Sequence, residues 1–324
     1  MKIIITGGLG YIGSNIAVKL LKQNHNILLI DNLKNSKISV SKKIFKLTKK
    51  KFIFKKENCN NKRKIFSIFK KFKPDLVIHL AGLKSVSESI RLPRRYLNEN
   101  LKNVYVVAQA MIAHNTKKLI FSSSATVYGK PKYLPVNEDH PTNPINPYGK
   151  SKLLIEEYLK SLCDKYSNLS IVSLRYFNPV GSDKSGLLTD NPKKPNNLFP
   201  KILQVINGKF KYLPVFGKNY KTSNGTTIRD YIHILDLSDA HISSIRYLKK
   251  QNGFHVFNVG TGKGLTALEV IKKFEEVNNL KININFKKRR PGDVPIIYAG
   301  VKKIKKLIGW SSKYGINQMC IVKK

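Results

Sequence analysis

Lys2-Ile-Ile-Ile-Thr-Gly-Gly-Leu-Gly-Tyr-Ile-Gly13 is the stretch of sequence that decides the fold. The apolar run from Ile3 to Thr6 predicts a buried strand, and the pattern from Tyr11 to Lys22 predicts a helix. Glycines between them permit a tight turn and let the backbone approach a pyrophosphate, which the N-terminus of the helix also attracts. The spacing fits Gly8-x-Gly10-x-x-Gly13 and also Gly7-x-x-Gly10-x-x-Gly13, so it predicts a dinucleotide-binding turn.

A carboxylate stands at the end of the next predicted strand. That strand runs from Asn26 to Asp31, and Asp31 lies 18 residues after Gly13. A carboxylate in this place accepts hydrogen bonds from both hydroxyls of an adenosine ribose and repels a 2′-phosphate. We therefore expect the cofactor to be NAD rather than NADP.

Strand and helix patterns alternate through the first half of the chain. Continuous apolar strands separated by helices are typical of a parallel sheet that is covered on both faces. We therefore predict an α/β fold with a Rossmann-type doubly wound parallel sheet. The further predicted strands are Phe52 to Lys55, Asp75 to Ala81, Lys118 to Ser123 and Leu169 to Tyr176, and the long predicted helices are Leu97 to His114 and Asn146 to Lys165.

The pattern changes near Gly181. Glycine, proline and asparagine cluster between Gly181 and Pro200 and predict long loops. We predict a dinucleotide-binding domain over residues 1–180 and a smaller α/β C-terminal substrate lobe over 181–324, with some chain returning to the first domain. The tail after Trp310 has no assignable pattern. The helices predicted in the second lobe are Leu198 to Asn207, Leu235 to Lys249 and Leu265 to Val277.

The composition is strongly basic, with 60 basic and 19 acidic residues and a formal net charge of +41. Such a charge attracts polyanions, but the lysines are spread along the chain without one dominant basic tail. We interpret the charge as a compositional bias and expect no specific nucleic-acid partner. The three cysteines are widely spaced, which predicts no metal site and a reducing compartment. With no signal-peptide pattern and no apolar run of about 18 residues, we expect a cytoplasmic protein without membrane contact.

A tyrosine and a lysine four residues apart carry the predicted chemistry. In Tyr148-Gly-Lys-Ser-Lys152 the phenol and the ammonium lie on one face of a helix. A free tyrosine has a pKa of about 10, which is too high for a base at neutral pH. A nearby ammonium and a cationic nicotinamide ring both favour the phenolate, so we expect them to lower the pKa of Tyr148.

The spacing Tyr-x-x-x-Lys occurs three times, beginning at Tyr128, Tyr148 and Tyr298. Gly129 and Pro131 follow Tyr128 and oppose a helical turn there. Tyr298 lies in the second lobe, far along the chain from the glycine turn. Tyr148 opens a long helical pattern and follows the serine-rich end of a predicted strand, Ser122-Ser-Ser124. We therefore predict Tyr148 as the base.

Several motifs together resemble the extended short-chain dehydrogenase/reductase family and, within it, the UDP-glucose 4-epimerases. The resemblance runs from Met1 to about Trp310, with the motifs in the expected order. The motifs are Thr6-Gly-Gly-x-Gly-Tyr-Ile-Gly13, Asp31-Asn-Leu-x-Asn-Ser36, Ala81-Gly-Leu-Lys84, Ser122-Ser-Ser-Ala-Thr-Val-Tyr-Gly129, Pro147-Tyr-Gly-Lys-Ser-Lys152, Leu174-Arg-Tyr-Phe-Asn-Pro-Val-Gly181, Pro195-Asn-Asn-Leu198, Arg229-Asp-Tyr-Ile-His233 and Arg289-Arg-Pro-Gly-Asp293.

The resemblance implies a role for each matching residue. The implied catalytic set is Ser124, Tyr148 and Lys152, which also contact NAD. The other implied NAD-binding residues are Gly7, Gly10, Tyr11, Ile12, Asp31, Asn32, Asn35, Ser36, Asn58, Cys59, Leu80, Ala81, Lys84 and Phe177. The implied substrate-binding residues are Thr126, Asn178, Asn197, Leu198, Phe216, Arg229, Arg290, Asp293 and Ile297.

The resemblance also implies an activity, the interconversion of UDP-glucose and UDP-galactose. Tyr148 would take the proton of the 4-hydroxyl while hydride passes to bound NAD, and the 4-keto sugar would turn over before hydride returns to its other face. A homodimer through the two long helices is a further expectation. A dehydratase would need an acid pair after the serine of the fifth strand, where this chain has Ser124-Ala125-Thr126. An epimerase of UDP-N-acetylglucosamine or a UDP-uronate, and a non-catalytic nucleotide-binding protein, remain as alternatives.

This chain departs from the family pattern in places. Asn58 replaces the usual aspartate before the residue that meets the adenine, and Glu99 replaces an asparagine before Asn100. The C-terminus also stops short of the family's last aromatic-rich helix. Ile297 stands where the family's residue lies beside carbon 2 of the sugar, and a tyrosine there restricts the enzyme to plain hexoses. Ile297 either opens the pocket in part to N-acetylated sugars or packs against Tyr298 and leaves it closed.

Overall fold

The computed structural model describes residues 1–190, 192 and 195–323. Residues 191, 193 and 194, within the predicted loops from Gly181 to Pro200, lie outside the described residues. The strands are β1 Lys2–Thr6, β2 Asn26–Asp31, β3 Ile53–Lys56, β4 Leu76–His79, β5 Lys118–Ser124, β6 Ser170–Tyr176, β7 Asn178–Val180, β8 Leu213–Phe216, β9 Ile228–His233, β10 Gly253–Val259, β11 Gly264–Thr266, β12 Ile284–Lys287 and β13 Ile296–Ile297. The helices are α1 Tyr11–Lys22, α2 Ser39–Thr48, α3 Lys62–Phe72, α4 Val86–Arg91, α5 Pro93–Ala113, α6 Pro147–Lys165, α7 Leu198–Ile206, α8 Ile234–Tyr247, α9 Ala267–Asn278, α10 Lys302–Ile308 and α11 Ile316–Cys320, with a 3-10 turn at Ala125–Tyr128.

A seven-stranded sheet forms the larger part of the molecule. Its strand order is β10-β6-β5-β4-β1-β2-β3, and every neighbouring pair is parallel. Parallel strands need crossover connections, which the helices between them supply. This sheet confirms the predicted α/β, Rossmann-type fold.

Alternate residues of each strand fill opposite cores. Ile3 and Ile5 of β1 belong to one apolar cluster with residues of α1, α2 and α8, whereas Ile4 belongs to a second cluster with residues of α3, α5 and α6. All three isoleucines are fully buried. The continuous apolar sequence of β1 thus follows from burial on both faces.

The second lobe has smaller sheets and its own core. Strand β9 pairs with β7, β11 and β13, and β8 pairs with β12. A separate apolar cluster contains Phe199, Tyr231 and Phe274 together with Met319 and Cys320 from the tail. The chain also returns to the first sheet, because β10 pairs with β6 and α8 packs against α1.

The tail after Trp310, which has no assignable pattern in the sequence, is ordered by contacts with distant residues. The indole of Trp310 donates to the backbone oxygen of Asp236 at 3.1 Å. The carboxylate of Asp236 accepts from the backbone N–H groups of Lys313 and Tyr314. Helix α11 then inserts Met319 and Cys320 into the core of the second lobe.

The carboxyl ends of the parallel strands meet at one edge of the large sheet. Strand β4 ends at His79 rather than at the predicted Ala81, because the backbone N–H groups of Leu80 and Ala81 donate to the hydroxyl of Thr6 at 3.2 and 3.3 Å. This contact draws the ends of β1 and β4 together. It places the residues after β4 against the glycine turn.

Candidate active site

The glycine turn is shaped for close approach of another group. Gly7 has a φ of +66°, and a Cβ atom there would lie 3.0 Å from the backbone nitrogen of Ala81. A Cβ atom on Gly13 would lie 2.4 Å from the carbonyl oxygen of Gly7. Glycine is therefore required at both positions. The turn leads directly into α1, with Gly10 as the N-cap, so the free N–H groups of the helix N-terminus face the turn as a pyrophosphate site requires. These residues therefore fit the dinucleotide that the sequence predicts.

Asp31 organises the segment beside this turn. Its buried carboxylate accepts from the backbone N–H of Leu9 at 3.1 Å, from that of Leu33 at 2.9 Å and from the hydroxyl of Ser36 at 2.8 Å. The structure thus brings Asp31 and Ser36 into one cluster with the glycine turn. Asn32 and Asn35 lie on the same segment and are exposed.

The adenine end predicted from the sequence lies after β3. The side-chain oxygen of Asn58 accepts from the backbone N–H of Asn60 at 3.0 Å, so part of its acceptor capacity is already used. Burial raises the pKa of the Cys59 thiol to about 12, and the nearby Asp31 acts in the same direction. The thiol therefore stays protonated at neutral pH. Glu99, which replaces an asparagine of the family pattern, accepts from Arg95 at 2.9 Å and lies 3.8 Å from the ammonium of Lys34.

Tyr148 and Lys152 project from the first turns of α6. Asn146 caps this helix by accepting from the backbone N–H of Gly149 at 2.8 Å, and Pro147 occupies the first turn. The ammonium of Lys152 donates to the carbonyl of Ser122 at 2.6 Å and lies 5.8 Å from the centre of the Tyr148 ring. Lys152 is therefore held between the end of β5 and the phenol.

Burial dominates the electrostatics of this pair. It raises the pKa of Tyr148 to about 12, and the Ser124 hydroxyl acts in the opposite direction. It lowers the pKa of Lys152 to about 8, against the charge of Glu156. The expected lowering of the Tyr148 pKa depends on a cationic nicotinamide ring beside the phenol and stays a prediction, and burial of the phenol acts against it.

Ser124 lies at the end of β5, next to the Tyr–Lys pair. Its hydroxyl oxygen accepts from the backbone N–H of Thr126 at 3.2 Å and from the Thr126 hydroxyl at 3.0 Å. Because both of these bonds are accepted, the hydroxyl hydrogen of Ser124 can be donated to an oxygen in the pocket. Ser124, Tyr148 and Lys152 thus supply a donor, a proton acceptor and a cation to one place.

The two other tyrosines of the same spacing have different environments. The Tyr128 hydroxyl donates to Asn258 at 2.7 Å and accepts from Arg175 at 2.9 Å, and the side chain is fully buried. Tyr298 lies next to β13, where its carbonyl accepts from the backbone N–H of Val136. Tyr148 alone among the three stands on α6 with its lysine one turn later.

A second charged cluster lies on the smaller lobe. Arg290 donates to Asp293 at 2.9 Å and to the backbone oxygen of Asn196 at 3.0 Å. Arg229 lies 3.9 Å from the same carboxylate, and burial lowers its pKa while Asp293 opposes this. The guanidinium of Arg290 also stands 4.8 Å from the centre of the Phe216 ring. The structure thus brings four predicted substrate-binding residues together.

Asp230 is not the partner of Arg229, although it precedes Tyr231 in the same motif. Its carboxylate is fully buried and accepts from Thr261, from the backbone of Gly262 and from that of Ala299. Arg229 of β9 instead approaches Asp293, which stands shortly before the neighbouring strand β13. The guanidinium therefore remains directed towards the Arg290 cluster.

Sequence reasoning missed Tyr220 and Arg289, which border this cluster. The guanidinium of Arg289 lies 4.3 Å from the centre of the Tyr220 ring. The Tyr220 hydroxyl is buried and has no hydrogen-bond partner among the described residues. Two sequence features could have indicated these residues: the arginine pair Arg289–Arg290, and the aromatic residue Tyr220 four positions after Phe216. They are weak, because arginine pairs and isolated tyrosines are common on loops.

The remaining predicted residues lie in several environments. Phe177 and Ile297 are buried in one apolar cluster with Ala125 and Val294, so Ile297 packs beside the turn that follows Ser124. Leu198 packs into the core of the second lobe. Near the glycine turn, the Tyr11 hydroxyl donates to the carbonyl of Gly181 at 2.8 Å. Ile12 lies within α1, and the ammonium of Lys84 lies 3.5 Å from the carboxylate of Asp190. Asn178 starts β7, and Asn197 is exposed at the N-cap of α7.

Two further properties concern the described residues as a whole. Across residues 1–190, 192 and 195–323, no helix has both the length and the apolar character needed to cross a bilayer. In the same part of the chain, no group of three or more histidine, cysteine, aspartate or glutamate side chains is placed to hold a metal ion. The three cysteines are buried and free.

Comparison with known proteins adds family information. Residues 3–260 match the family described as the NAD dependent epimerase/dehydratase family. The chain is 40% identical over 321 residues to a UDP-glucose 4-epimerase of Bacillus subtilis, covering 99% of this chain and 95% of that protein.

Solved structures of the same kind are similar over the whole chain. A UDP-glucose 4-epimerase of Bifidobacterium longum, solved with NAD+ and UDP, superimposes with a TM-score of 0.97 at 39% identity, covering 99% of this chain and 96% of the other. A UDP-Glc/GlcNAc 4-epimerase of Campylobacter jejuni gives a TM-score of 0.84 at 33% identity, covering 98% and 96%.

Proposed function

The chain belongs to the NAD-dependent epimerase/dehydratase family, and we propose that it is a UDP-glucose 4-epimerase that interconverts UDP-glucose and UDP-galactose with NAD as its cofactor. The observation that carries this proposal is the meeting of Ser124, Tyr148 and Lys152 at the carboxyl edge of the parallel sheet, the edge at which β1 leads into the glycine turn. The nucleotide-sugar epimerases that the chain resembles over nearly its full length support the choice of substrate.

The residues of the chain divide the work of the reaction between them. Tyr148 takes the proton of the sugar's 4-hydroxyl, and Ser124 donates a hydrogen bond to the same oxygen. Lys152 holds a positive charge beside the phenol and so favours the phenolate. When bound, NAD supplies a reversible acceptor for the hydrogen on carbon 4, and the positive charge of its ring adds to that of Lys152.

The cofactor and the UDP moiety are held by separate groups. Gly7, Gly10 and the N-terminus of α1 would hold the pyrophosphate of NAD, and Asp31 would hold its adenosine ribose. Arg229 and Arg290 would bind the diphosphate of the substrate through charge-assisted hydrogen bonds. Because UDP is fixed far from the reacting carbon, its binding energy can hold the substrate while contacts to the sugar stay loose.

The direct test is to incubate the purified protein with UDP-galactose, without added NAD, and to measure UDP-glucose by chromatography. We expect conversion without net NADH, since the cofactor is regenerated in each cycle. The Tyr148→Phe variant serves as the matched control for contaminating activity. Stoichiometric release of NADH would indicate a dehydrogenase, and a protein that binds NAD and UDP without turnover would indicate a non-catalytic role.

We further propose a cytoplasmic homodimer formed through α5 and α6. A groove of about 460 Å³ between these helices and α3 is lined by Phe66, Tyr105, Tyr158 and other side chains. Tyr105 is 49% exposed and its ring centre lies 5.7 Å from that of Tyr158, so an apolar surface faces outward. The molar mass in solution, measured by light scattering for the wild type and for Tyr105→Glu, tests this. A monomeric wild type would contradict it.

A further inference from the structure

A buried ion pair joins helix α6 to strand β6, one helical turn after Lys152. Glu156 follows Lys152 by one turn of α6, so the two side chains share a face. Arg175 of β6 donates to its carboxylate at 2.6 Å through the terminal nitrogen and at 3.1 and 3.2 Å through Nε. The Ser173 hydroxyl donates to it at 2.8 Å. The exposed fractions of the Arg175 and Glu156 side chains are 7% and 4%.

The same network reaches the segment that carries Ser124. The second terminal nitrogen of Arg175 donates to the Tyr128 hydroxyl at 2.9 Å, and Tyr128 donates to Asn258 of β10 at 2.7 Å. Tyr128 ends the 3-10 turn that starts immediately after Ser124. Arg175 therefore connects the helix of the Tyr–Lys pair with the turn that follows the serine.

An ion pair at this depth is not explained by stability alone. Removing two charges from water is costly, and apolar pairs of similar size often stabilise a core as well or better. The polar network therefore points to a need for a fixed geometry, or for a charge, at this place. Both needs arise at the catalytic pair earlier on the same helix.

Lys152 is surrounded by few groups that can offset its burial. On α6 it faces Tyr148 and Glu156. Towards β5 its ammonium donates to the carbonyl of Ser122 and lies 4.7 Å from the centre of the Phe121 ring. His79 of β4 also faces it, but burial and the charge of Lys152 lower the pKa of that imidazole to about 3, so it is neutral. From β6, Tyr176 lies near Tyr148 and is a protonated phenol, since burial raises its pKa.

We propose that Glu156 is a positioning residue for the reaction, which holds α6 against β6 through Arg175 and keeps Lys152 an ammonium beside Tyr148. This inference rests on the proposed epimerase activity. In this role Glu156 never touches the substrate. Its negative charge offsets the desolvation of Lys152, and its hydrogen bonds fix the helix that presents the base.

The test uses two variants that break the same ion pair from opposite sides. Glu156→Gln removes the negative charge, so Lys152 should lose its proton at lower pH. We expect the alkaline limb of the kcat/KM profile to move down by about one pH unit, with kcat at pH 8 about fivefold lower and KM little changed. Arg175→Gln leaves the carboxylate in place, so the limb should stay or move upward.

Glu157→Gln is the matched control, because it makes the same chemical change at the next residue of α6, on the exposed face. It should leave the profile unchanged. If Glu156→Gln and Arg175→Gln shift the limb in the same direction, or if neither shifts it, the pair is merely structural and the proposal is wrong. A wild type without epimerase activity would instead overturn the proposed function, so the two failures are distinguishable.

A second readout follows the phenol of Tyr148 directly. Its ionisation is measured by ultraviolet absorbance as the difference between each protein and its Tyr148→Phe counterpart. Where Glu156→Gln does not fold, the double variant Glu156→Gln/Arg175→Met removes both charges and leaves neither unpaired. We expect its alkaline limb to move down like that of the single variant. An unmoved limb in a folded double variant would overturn the proposal.

Discussion

The proposed catalytic pocket and the arginine cluster of the second lobe hold their charged groups in different ways. Lys152 is 5% exposed and is fixed by the Ser122 carbonyl. The side chain of Arg290 is 36% exposed, and Arg290 and Arg229 share the single carboxylate of Asp293. In one region a buried cation is fixed by a carbonyl, whereas in the other two cations, one of them partly exposed, share one carboxylate.

The difference corresponds to two kinds of work. A proton transfer depends on sub-ångström placement and on pKa values that only a dry site can shift. Binding of a diphosphate depends on the number of available donors and tolerates water. We therefore expect changes in the pocket to act on kcat, and changes in the arginine cluster to act on KM.

The largest effect should come from Tyr148→Phe, which removes the proton acceptor and keeps the ring. We expect kcat to fall about 10³-fold with UDP affinity unchanged, as general acid–base groups contribute on this scale. Steady-state kinetics and calorimetric titration with UDP measure the two quantities. Near-normal turnover would exclude Tyr148 as the base. Tyr128→Phe, which has the same spacing to a lysine, should have a much smaller effect.

The opposite pattern should come from Arg290→Gln. Loss of a charge-assisted hydrogen bond of about 2 kcal/mol corresponds to a KM roughly 30-fold higher, with kcat changed little. Lys288→Gln, an exposed cation two residues away, is the matched control and should leave KM unchanged. A fall in kcat without a change in KM would show that the two regions are not separable in this way.

A pH profile sharpens the comparison further. Burial lowers the pKa of Lys152 to about 8, so the ammonium is present below that pH and is lost above it. We therefore expect kcat/KM to fall by about tenfold per unit once the pH exceeds 8. Lys152→Arg keeps a positive charge at every accessible pH, so it should remove the alkaline decline of kcat/KM, although kcat/KM itself will be lower than in the wild type. A wild-type profile that is flat to pH 10 would contradict the assignment.

The smallest effect is expected at Ile297, where the two regions meet. Its side chain is 7% exposed and packs in the cluster with Phe177, while its backbone pairs with Arg229. We expect slow but measurable epimerisation of UDP-N-acetylglucosamine, which Ile297→Tyr should abolish while sparing UDP-galactose. A single methylene in a hydrophobic pocket changes the ratio of kcat/KM values between two substrates roughly 10- to 200-fold. A wild type inert to the N-acetylated sugar would show that this packing closes the pocket.

Local patterns made part of the structure predictable. The glycine turn, the strand before it and α1 follow from residues within one short stretch, and the bounds of α1 and β2 agree with the prediction. The Tyr148–Lys152 pair was predictable for the same reason, since an (i, i+4) spacing and an N-cap are local signals.

Other features depend on residues far apart in the sequence. Glu156 has no distinguishing local signal, because its partner Arg175 lies on a strand 19 residues later. The pKa of Tyr148 depends on burial that only the folded chain supplies. Strands β7, β11 and β13 have two or three residues, too few for an alternating pattern to be recognised.

The return of β10 to the large sheet has a consequence for the synthesis of the protein on the ribosome. Six strands of the sheet are complete once Tyr176 has left the exit tunnel, but the outer edge of β6 pairs only with β10, which begins at Gly253. Throughout the synthesis of the intervening segment, β6 presents open backbone groups to other nascent chains. The rate of translation between these two points therefore sets how long each new molecule is exposed to aggregation.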